Sequence, residues 1–191
     1  MLLLALLKVP SFFYRRDSLD NIIIMKYGVH AGEKVDDIMS RKIKEIKNNG
    51  FCFFGYGGSF IHPTNQVQPF CKDKDVYLLL TRTKSNYTKN TSKSLYYSVD
   101  KNEYLEIPNS INVYGSKYAL VLDELIKYDK DINLCEYEVG IGNSKGKTLS
   151  EYFRYRVDKA CAVYKGKSSN KKIIHIDYIA KLKYPYSVFV K

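Results

Sequence analysis

The sequence is poor in the residues that most directly identify a function. It has no tryptophan, only three histidines, and four cysteines without a C-x-x-C spacing, so it indicates neither a zinc site nor a disulfide framework. Free thiols are typical of a reducing compartment, and we therefore predict a cytoplasmic protein.

Long apolar runs are absent as well. Leu2–Leu7 is apolar, but it is too short to cross a bilayer and no basic residue precedes it. We expect no membrane partner. Residues 1–24 are interpreted as an N-terminal arm or extension, followed by a single domain at 25–191.

Common catalytic and nucleic-acid-binding signatures are missing too. The chain contains no G-x-S-x-G, no H-E-x-x-H, no complete dinucleotide-binding fingerprint, and no helix-turn-helix or zinc-finger pattern. We expect no cofactor and no metal.

Positive charge is abundant and unevenly placed along the chain. The net charge is +11 over 191 residues; residues 143–191 carry 12 basic and 3 acidic side chains (+9), whereas residues 100–138 carry 4 and 9 (−5). Such a distribution predicts an electrically polarised molecule that attracts anionic partners, although a solvated lysine-rich surface would look the same.

The hydrophobic pattern predicts an α+β fold with a mixed or mainly antiparallel sheet. Residues 21–29 are typical of a strand, and two principal amphipathic helices are predicted at about 33–48 and 149–165. In the second helix, Lys159 would point away from the core. Residues 83–94 are polar and basic and are predicted to form a mobile loop that closes over a ligand.

The segment Gly140–Thr148 is the first candidate binding site. Gly146, Lys147 and Thr148 resemble the end of the P-loop motif of nucleotide-binding proteins, although Ile141 stands where that motif has glycine. Between a strand and a helix, backbone N–H groups and the helix dipole can hold a phosphate. We predict an anion site rather than a P-loop NTPase, with Arg154 as a further cation; a capped helix after a basic loop is the alternative.

The segment 55–68 is the second candidate. Its glycines would let the backbone approach a ligand, and its amides, hydroxyl and imidazole could recognise a base or sugar. His62 is the best placed general acid or base. The predicted ligand contacts are Tyr56, Gly57, Gly58, Ser59, His62, Gln66 and Gln68. A sharply turned structural loop is the alternative.

The junction at residues 27–33 is the third candidate. His30 and Glu33 follow a predicted strand, where α/β proteins commonly bind ligands, and they would complete a catalytic group if they met His62 in one cleft. A structural histidine and an acidic first helical turn explain the same residues.

These features lead to one functional prediction and two alternatives. The leading prediction is a protein that binds a phosphorylated, base-containing small molecule such as a nucleotide or nucleotide derivative; if it is an enzyme, it is a metal-independent hydrolase or lyase. The alternatives are sequence-tolerant nucleic-acid binding through the basic C-terminal face, and a non-enzymatic inhibitor or interaction protein. All binding predictions require that segments 55–68 and 140–148 share a pocket.

Overall fold

The β-branched segment near the start of the chain forms a central strand. The computed structural model describes residues 19–57, 61–87, 91–154 and 157–191. Within them, β1 (Asn21–Val29) buries Ile22, Ile23 and Ile24 completely. Because successive side chains of a strand point to opposite faces, this run shows that β1 is covered on both sides.

The predicted first helix is confirmed as α1 (Val35–Asn49). Val35, Ile38 and Met39 form its buried stripe, as the three- and four-residue spacing predicts. The helix ends at Gly50, which adopts the left-handed conformation (φ 75°) and donates its N–H to the Ile46 carbonyl at 2.8 Å.

The other elements contribute most of the strands and two short helices. They are β2 (Cys52–Tyr56), a π-helical turn (Pro63–Val67), α2 (Gln68–Cys71), β3 (Tyr77–Asn86), β4 (Tyr96–Ser98), β5 (Leu105–Glu106), β6 (Tyr118–Asn133), β7 (Tyr137–Val139), α3 (Leu149–Tyr152), β8 (Lys159–Tyr164) and β9 (Ile173–Val190). Among the described residues the strands form one sheet in the order β2-β6-β9-β3-β1-β8-β7, with β4 joined to β9 and β5 to β4. Only β1 and β3 pair in parallel there, so the sheet is mixed and mainly antiparallel, as predicted.

The sheet has an inner face, covered by α1 and residues 63–71, and an outer face. On the inner face Ile23, Phe54, Leu80, Leu122 and other buried side chains pack with α1. Two separate clusters cover the outer face, one beside α3 and one beneath residues 107–113. Irregularities in the β6–β9 register near residues 121, 123 and 128 let these two long strands bend between the clusters.

The prediction of a second long helix over 149–165 is wrong. Among the described residues of this range one helical turn forms, α3, and β8 follows as a strand paired with β1 and β7. Ala160 and Ala162 pack on the outer face and Cys161 on the inner face, so these small residues fill narrow space between two covered layers. Pairing on both edges outweighs the helical spacing of the sequence.

Two predicted boundaries are crossed by core strands. β1 begins before residue 25 and includes residues 21–24, which were placed in the N-terminal arm; residues 1–18 of that arm lie outside the described part. β3 extends to Asn86 and so takes in the start of the predicted loop at 83–94, of which residues 88–90 are not described. In the described ranges, the structure contains no helix long and apolar enough to cross a membrane.

Candidate functional site

A central cavity of about 350 Å³ lies between α1, β1, β2 and the loop at 112–116. Its apolar wall includes Met25, Ile38, Met39 and Phe54, all of which are buried. Polar groups from Tyr87, Ser116 and other residues surround this wall. An apolar pocket with a few convergent polar groups is the usual form of a small-molecule site.

One side of the central cavity carries a cluster of ion pairs on α1. Lys42 and Glu45 are almost completely buried, and Lys42 Nζ lies 2.8 Å from Glu45 Oε2. Lys42 Nζ also donates to the Asn112 carbonyl at 2.6 Å, while Arg41 donates to Glu45 Oε1 at 2.7 Å and to Glu33 Oε1 at 2.7 Å. These bonds attach the 112–116 loop to α1.

The surroundings of these groups shift their proton affinities. Burial lowers the pKa of Lys42, against the opposing effect of Glu45. For Arg41, burial acts to lower the pKa, but hydrogen bonds to Glu33 and Glu45 outweigh it, so the pKa is raised. The hydrogen bond from Arg41 lowers the pKa of Glu33. The shifts of Glu33 and Arg41 favour the charged forms of that pair, whereas burial disfavours the charged form of Lys42.

His30 and Glu33, two of the predicted catalytic residues, are engaged in structural contacts near the central cavity. His30 Nε2 lies 2.7 Å from the Tyr114 carbonyl; because a carbonyl only accepts, Nε2 carries the proton. Glu33 is bound to Arg41. His30 lines the central cavity, whereas His62 lines the second cavity described below. The two histidines therefore do not line a common cavity.

The second cavity, here called the loop cleft, has a volume of about 720 Å³ and lies between residues 62–74 and 140–145. His62, Asn65 and Gln66 contribute to one side and Gly140 and Gly142 to the other. Lys74 and Lys145 also line it. The segments 55–68 and 140–148 thus meet in one cavity, as the sequence hypothesis requires, although only parts of each reach it.

His62 is held at the loop cleft by two kinds of contact. Its backbone N–H donates to Gln66 Oε1 at 2.6 Å, and its ring packs edge-on against Phe189 and Tyr118 with centroid distances of 5.1 and 5.7 Å. The π-helical turn begins directly after it at Pro63. This packing orients the imidazole, while His62 and Gln66 both remain part of the cleft lining.

Other predicted contacts of segment 55–68 lie elsewhere. The Tyr56 hydroxyl is buried, donates to the Ile61 carbonyl at 2.6 Å and lies 2.7 Å from Ser187 Oγ, and burial raises its pKa. Gln68 Nε2 donates to the Val99 and Ser187 carbonyls. Tyr56 and Gly57 line the central cavity. Gly58 and Ser59 are outside the described residues.

The ligand contacts predicted in segment 140–154 also lie outside the lining of the loop cleft. Lys147 is exposed, and its carbonyl accepts from Val139 at 2.8 Å. Thr148 precedes α3 without a side-chain capping bond, and Arg154 Nε donates to the Ser150 carbonyl at 3.2 Å. None of the three is among the described lining residues. Lys145, two residues before Lys147, reaches the cleft instead.

A side cavity of about 250 Å³ adjoins the loop cleft. The two cavities share Gln66, Ile141 and Gly142 as lining residues. Ser144 and Lys159 also line the side cavity, and Lys159 lines the central cavity too. Sequence reasoning missed Lys74 and Lys159: the first has no local signal, and the second was assigned to the outside of a helix that does not form.

Neither a metal site nor a known family accounts for these cavities. In the described ranges, no group of three or more His, Cys, Asp or Glu side chains is arranged to hold a metal ion. Comparisons of the chain with protein-family models, with curated proteins and with solved structures find no match.

Proposed function

We propose that the protein binds a phosphorylated, base-containing small molecule, such as a nucleotide or nucleotide derivative, in the loop cleft. The observation that supports this most strongly is the charge of the lining. Lys74 and Lys145 contribute two cations, and the described lining residues include no carboxylate. A concave site with uncompensated positive charge favours an anionic ligand.

The remaining lining suits a base or sugar. His62 contributes an aromatic ring to the lining, and the amides of Asn65 and Gln66 can both donate and accept hydrogen bonds. Phe70 is buried beneath Lys74, whose Nζ lies 5.3 Å from the centroid of the Phe70 ring. Gly142 adopts a positive φ of 70°, and a side chain added there would lie 3.6 Å from Gln66 Nε2. The absence of a side chain at residue 142 keeps this part of the cleft open.

A cleavage reaction, if the ligand undergoes one, would use His62. Histidine is the side chain that most often transfers protons in enzymes, and His62 is the histidine that lines the loop cleft. Such a reaction would be a hydrolysis or an elimination that needs no metal.

Calorimetric titration with adenosine and guanosine monophosphates, and with the matching nucleosides, tests the binding proposal. The nucleotides should bind saturably and the nucleosides more than about tenfold more weakly, because a charge-assisted hydrogen bond contributes roughly 1.5–3 kcal/mol. Lys145→Gln should weaken nucleotide binding by about tenfold or more. His62→Ala, incubated with any nucleotide that wild type cleaves, should bind it without cleaving it.

Lys147→Gln is the matched control, because Lys145 and Lys147 are both exposed residues of the same loop and, of the two, Lys145 lines the cleft. It should leave nucleotide affinity within about twofold, as expected for a screened surface charge. Equal losses in the two variants would show general attraction instead of a site. Equal affinity for nucleotide and nucleoside, or no saturable binding, would refute the proposal.

A further inference from the structure

Lys159 is placed on the inner face of the sheet, where a lysine is unusual. It is the first residue of β8 and pairs with Met25 of β1. Directly opposed residues point to the same face, and Met25 belongs to the inner core; Cys161, two residues further, belongs to it too and is fully buried. The Lys159 side chain therefore enters the protein and lines both the central and the side cavity.

The amine of Lys159 has no polar partner among the described residues. Within those ranges it makes no hydrogen bond and no ion pair, in contrast to Lys42, which is bound to Glu45 and Asn112. Besides Lys159, the charged and titratable residues that line the central cavity are Lys26, Tyr27, His30, Arg41, Lys42, Tyr56, Tyr87, Tyr114 and Asp158. Burial lowers the pKa of Lys159, with Asp158 acting in the opposite direction. A larger fraction of this amine is consequently neutral than of an exposed lysine.

Groups that can move a proton lie in the same cavity. The Tyr87 hydroxyl donates to Asp158 Oδ1 at 3.3 Å, and burial, together with the charge of Asp158, raises the pKa of Tyr87 to about 12. The apolar wall formed by Met25, Met39 and Phe54 can hold the body of a small ligand. A partly desolvated amine in a hydrophobic pocket is the setting in which lysines act as nucleophiles.

We propose that Lys159 is a nucleophilic amine that forms a Schiff base with a small aldehyde or ketone bound in the central cavity. The nitrogen lone pair attacks the carbonyl carbon, and the electron pair of the carbonyl bond moves to oxygen, which is protonated. Loss of a first proton from nitrogen gives the carbinolamine. A second proton on its hydroxyl lets the oxygen leave as water while the nitrogen lone pair forms the C=N bond, and loss of the second nitrogen proton gives the imine. Asp158, with Tyr87, is placed to carry these protons. No atom is oxidised or reduced, and this site is independent of nucleotide binding in the loop cleft.

Trapping with pyridoxal as the probe tests the proposal. The full-length protein is incubated with substoichiometric pyridoxal near neutral pH, reduced with sodium borohydride and mapped by peptide mass spectrometry. We expect one dominant adduct on Lys159, formed at least about tenfold faster than the average lysine adduct, because the neutral amine in an apolar pocket is the nucleophile. Lys159→Arg should abolish this adduct. Lys26→Arg should retain it, because the Lys26 amine lies 4.8 Å from the centroid of the Phe153 ring, on the outer face of the sheet.

The wild-type map alone can overturn the proposal, so the result does not depend on a variant that folds. Adducts distributed over exposed lysines at similar rates, with Lys159 no faster, would show that the cavity does not activate the amine. The same map repeated between pH 6 and 9 should show Lys159 labelled at lower pH than the exposed lysines. Coincident pH profiles would also contradict the proposal.

Discussion

At the scale of single residues, the buried Lys42–Glu45 ion pair connects α1 to the 112–116 loop beside the central cavity. Lys42 and Glu45 are each about 2–4% exposed at the side chain, and Glu45 also accepts from the Asn112 N–H at 3.0 Å. Burying a charge is costly unless a partner and hydrogen bonds compensate it. The pair therefore makes the position of the 112–116 loop depend on α1.

Glu45→Ala should lower the free energy of unfolding by about 3–5 kcal/mol, because it leaves the buried Lys42 amine without its partner. Urea denaturation monitored by circular dichroism measures this change. Glu33→Ala is the matched control, since the Glu33–Arg41 pair is 22–25% exposed and should contribute about 1 kcal/mol. Similar costs for the two variants would mean that burial does not distinguish these pairs.

His175 is expected to give the protein a local pH dependence. Its hydrogen bond with Asp131, at 2.9 Å, raises its pKa above the ordinary 6.5, with smaller contributions from Asp177 and Asp129. The protonated form is therefore favoured in the folded state. The stability it contributes is complete below about pH 6.5 and is lost as pH rises through the folded pKa.

An NMR titration of His175 checks this expectation directly. Asp131→Asn should move the His175 pKa toward 6.5, and Asp129→Asn should move it less, because the bond to Asp131 is the main cause. A wild-type value at or below 6.5 would contradict the proposed geometry.

At the scale of elements, the parallel pairing of β1 with β3 depends on a glycine. A side chain added at Gly28 would lie 2.2 Å from the Ser85 carbonyl, and the register of the two strands is irregular between Tyr27 and Val29. Since backbone cannot move aside like a flexible side chain, Gly28→Ala should destabilise the protein by about 1–3 kcal/mol or more.

Gly57→Ala serves as the comparison for Gly28→Ala. An added side chain at Gly57 meets nothing within 4 Å, so the change should stay within about 0.5 kcal/mol. Thermal unfolding of both variants measures the difference. Comparable losses would show that glycine flexibility, and not the close approach of β3, determines the cost.

The elements also show how far the sequence is informative. β1 and α1 carry complete local signals, a β-branched run in one case and an amphipathic stripe ended by Gly50 in the other, and both are confirmed. β8 carries a helical spacing but forms a strand, because its small residues fit between two layers that come from distant parts of the chain. The spacing of apolar residues within one segment therefore does not predict packing against distant parts of the chain.

The candidate site was only partly predictable for the same reason. Segments 55–68 and 140–148 were singled out by their composition and motif, and parts of each, residues 62–66 and 140–145, meet in the loop cleft. Lys74 reaches the cleft from beyond α2, and Lys159 reaches two cavities because β8 is a strand. Both placements result from long-range pairing, which no motif around these residues encodes.

At the scale of the whole molecule, the acidic and basic parts of the sequence are brought side by side. β6, in the acidic segment, pairs along most of its length with β9, in the basic segment, so that Glu124 lies opposite Lys181 and Asp131 opposite His175. Charges that alternate on neighbouring strands partly cancel at a distance. Along these two strands the basic residues of β9 therefore lie among acidic residues of β6.

A shortened chain that starts at Met25 tests where the folded unit begins. It lacks Leu19 and Ile22–Ile24; the three isoleucines are fully buried, and their strand pairs with both β3 and β8. Burial of each such side chain contributes roughly 1.5–3 kcal/mol, so three of them account for about 4–9 kcal/mol of a typical total stability of about 5–15 kcal/mol.

We therefore expect the chain that starts at Met25 to be unfolded, which amide dispersion in NMR spectra and the loss of a cooperative urea transition would show. Ile23→Ala in the full chain should cost about 2–5 kcal/mol and remain folded, so that it separates the loss of one side chain from the loss of the strand. A native-like spectrum of the shortened chain would mean that β3 and β8 can close without residues 19–24. In that case the folded unit would begin at residue 25, as the sequence alone predicts.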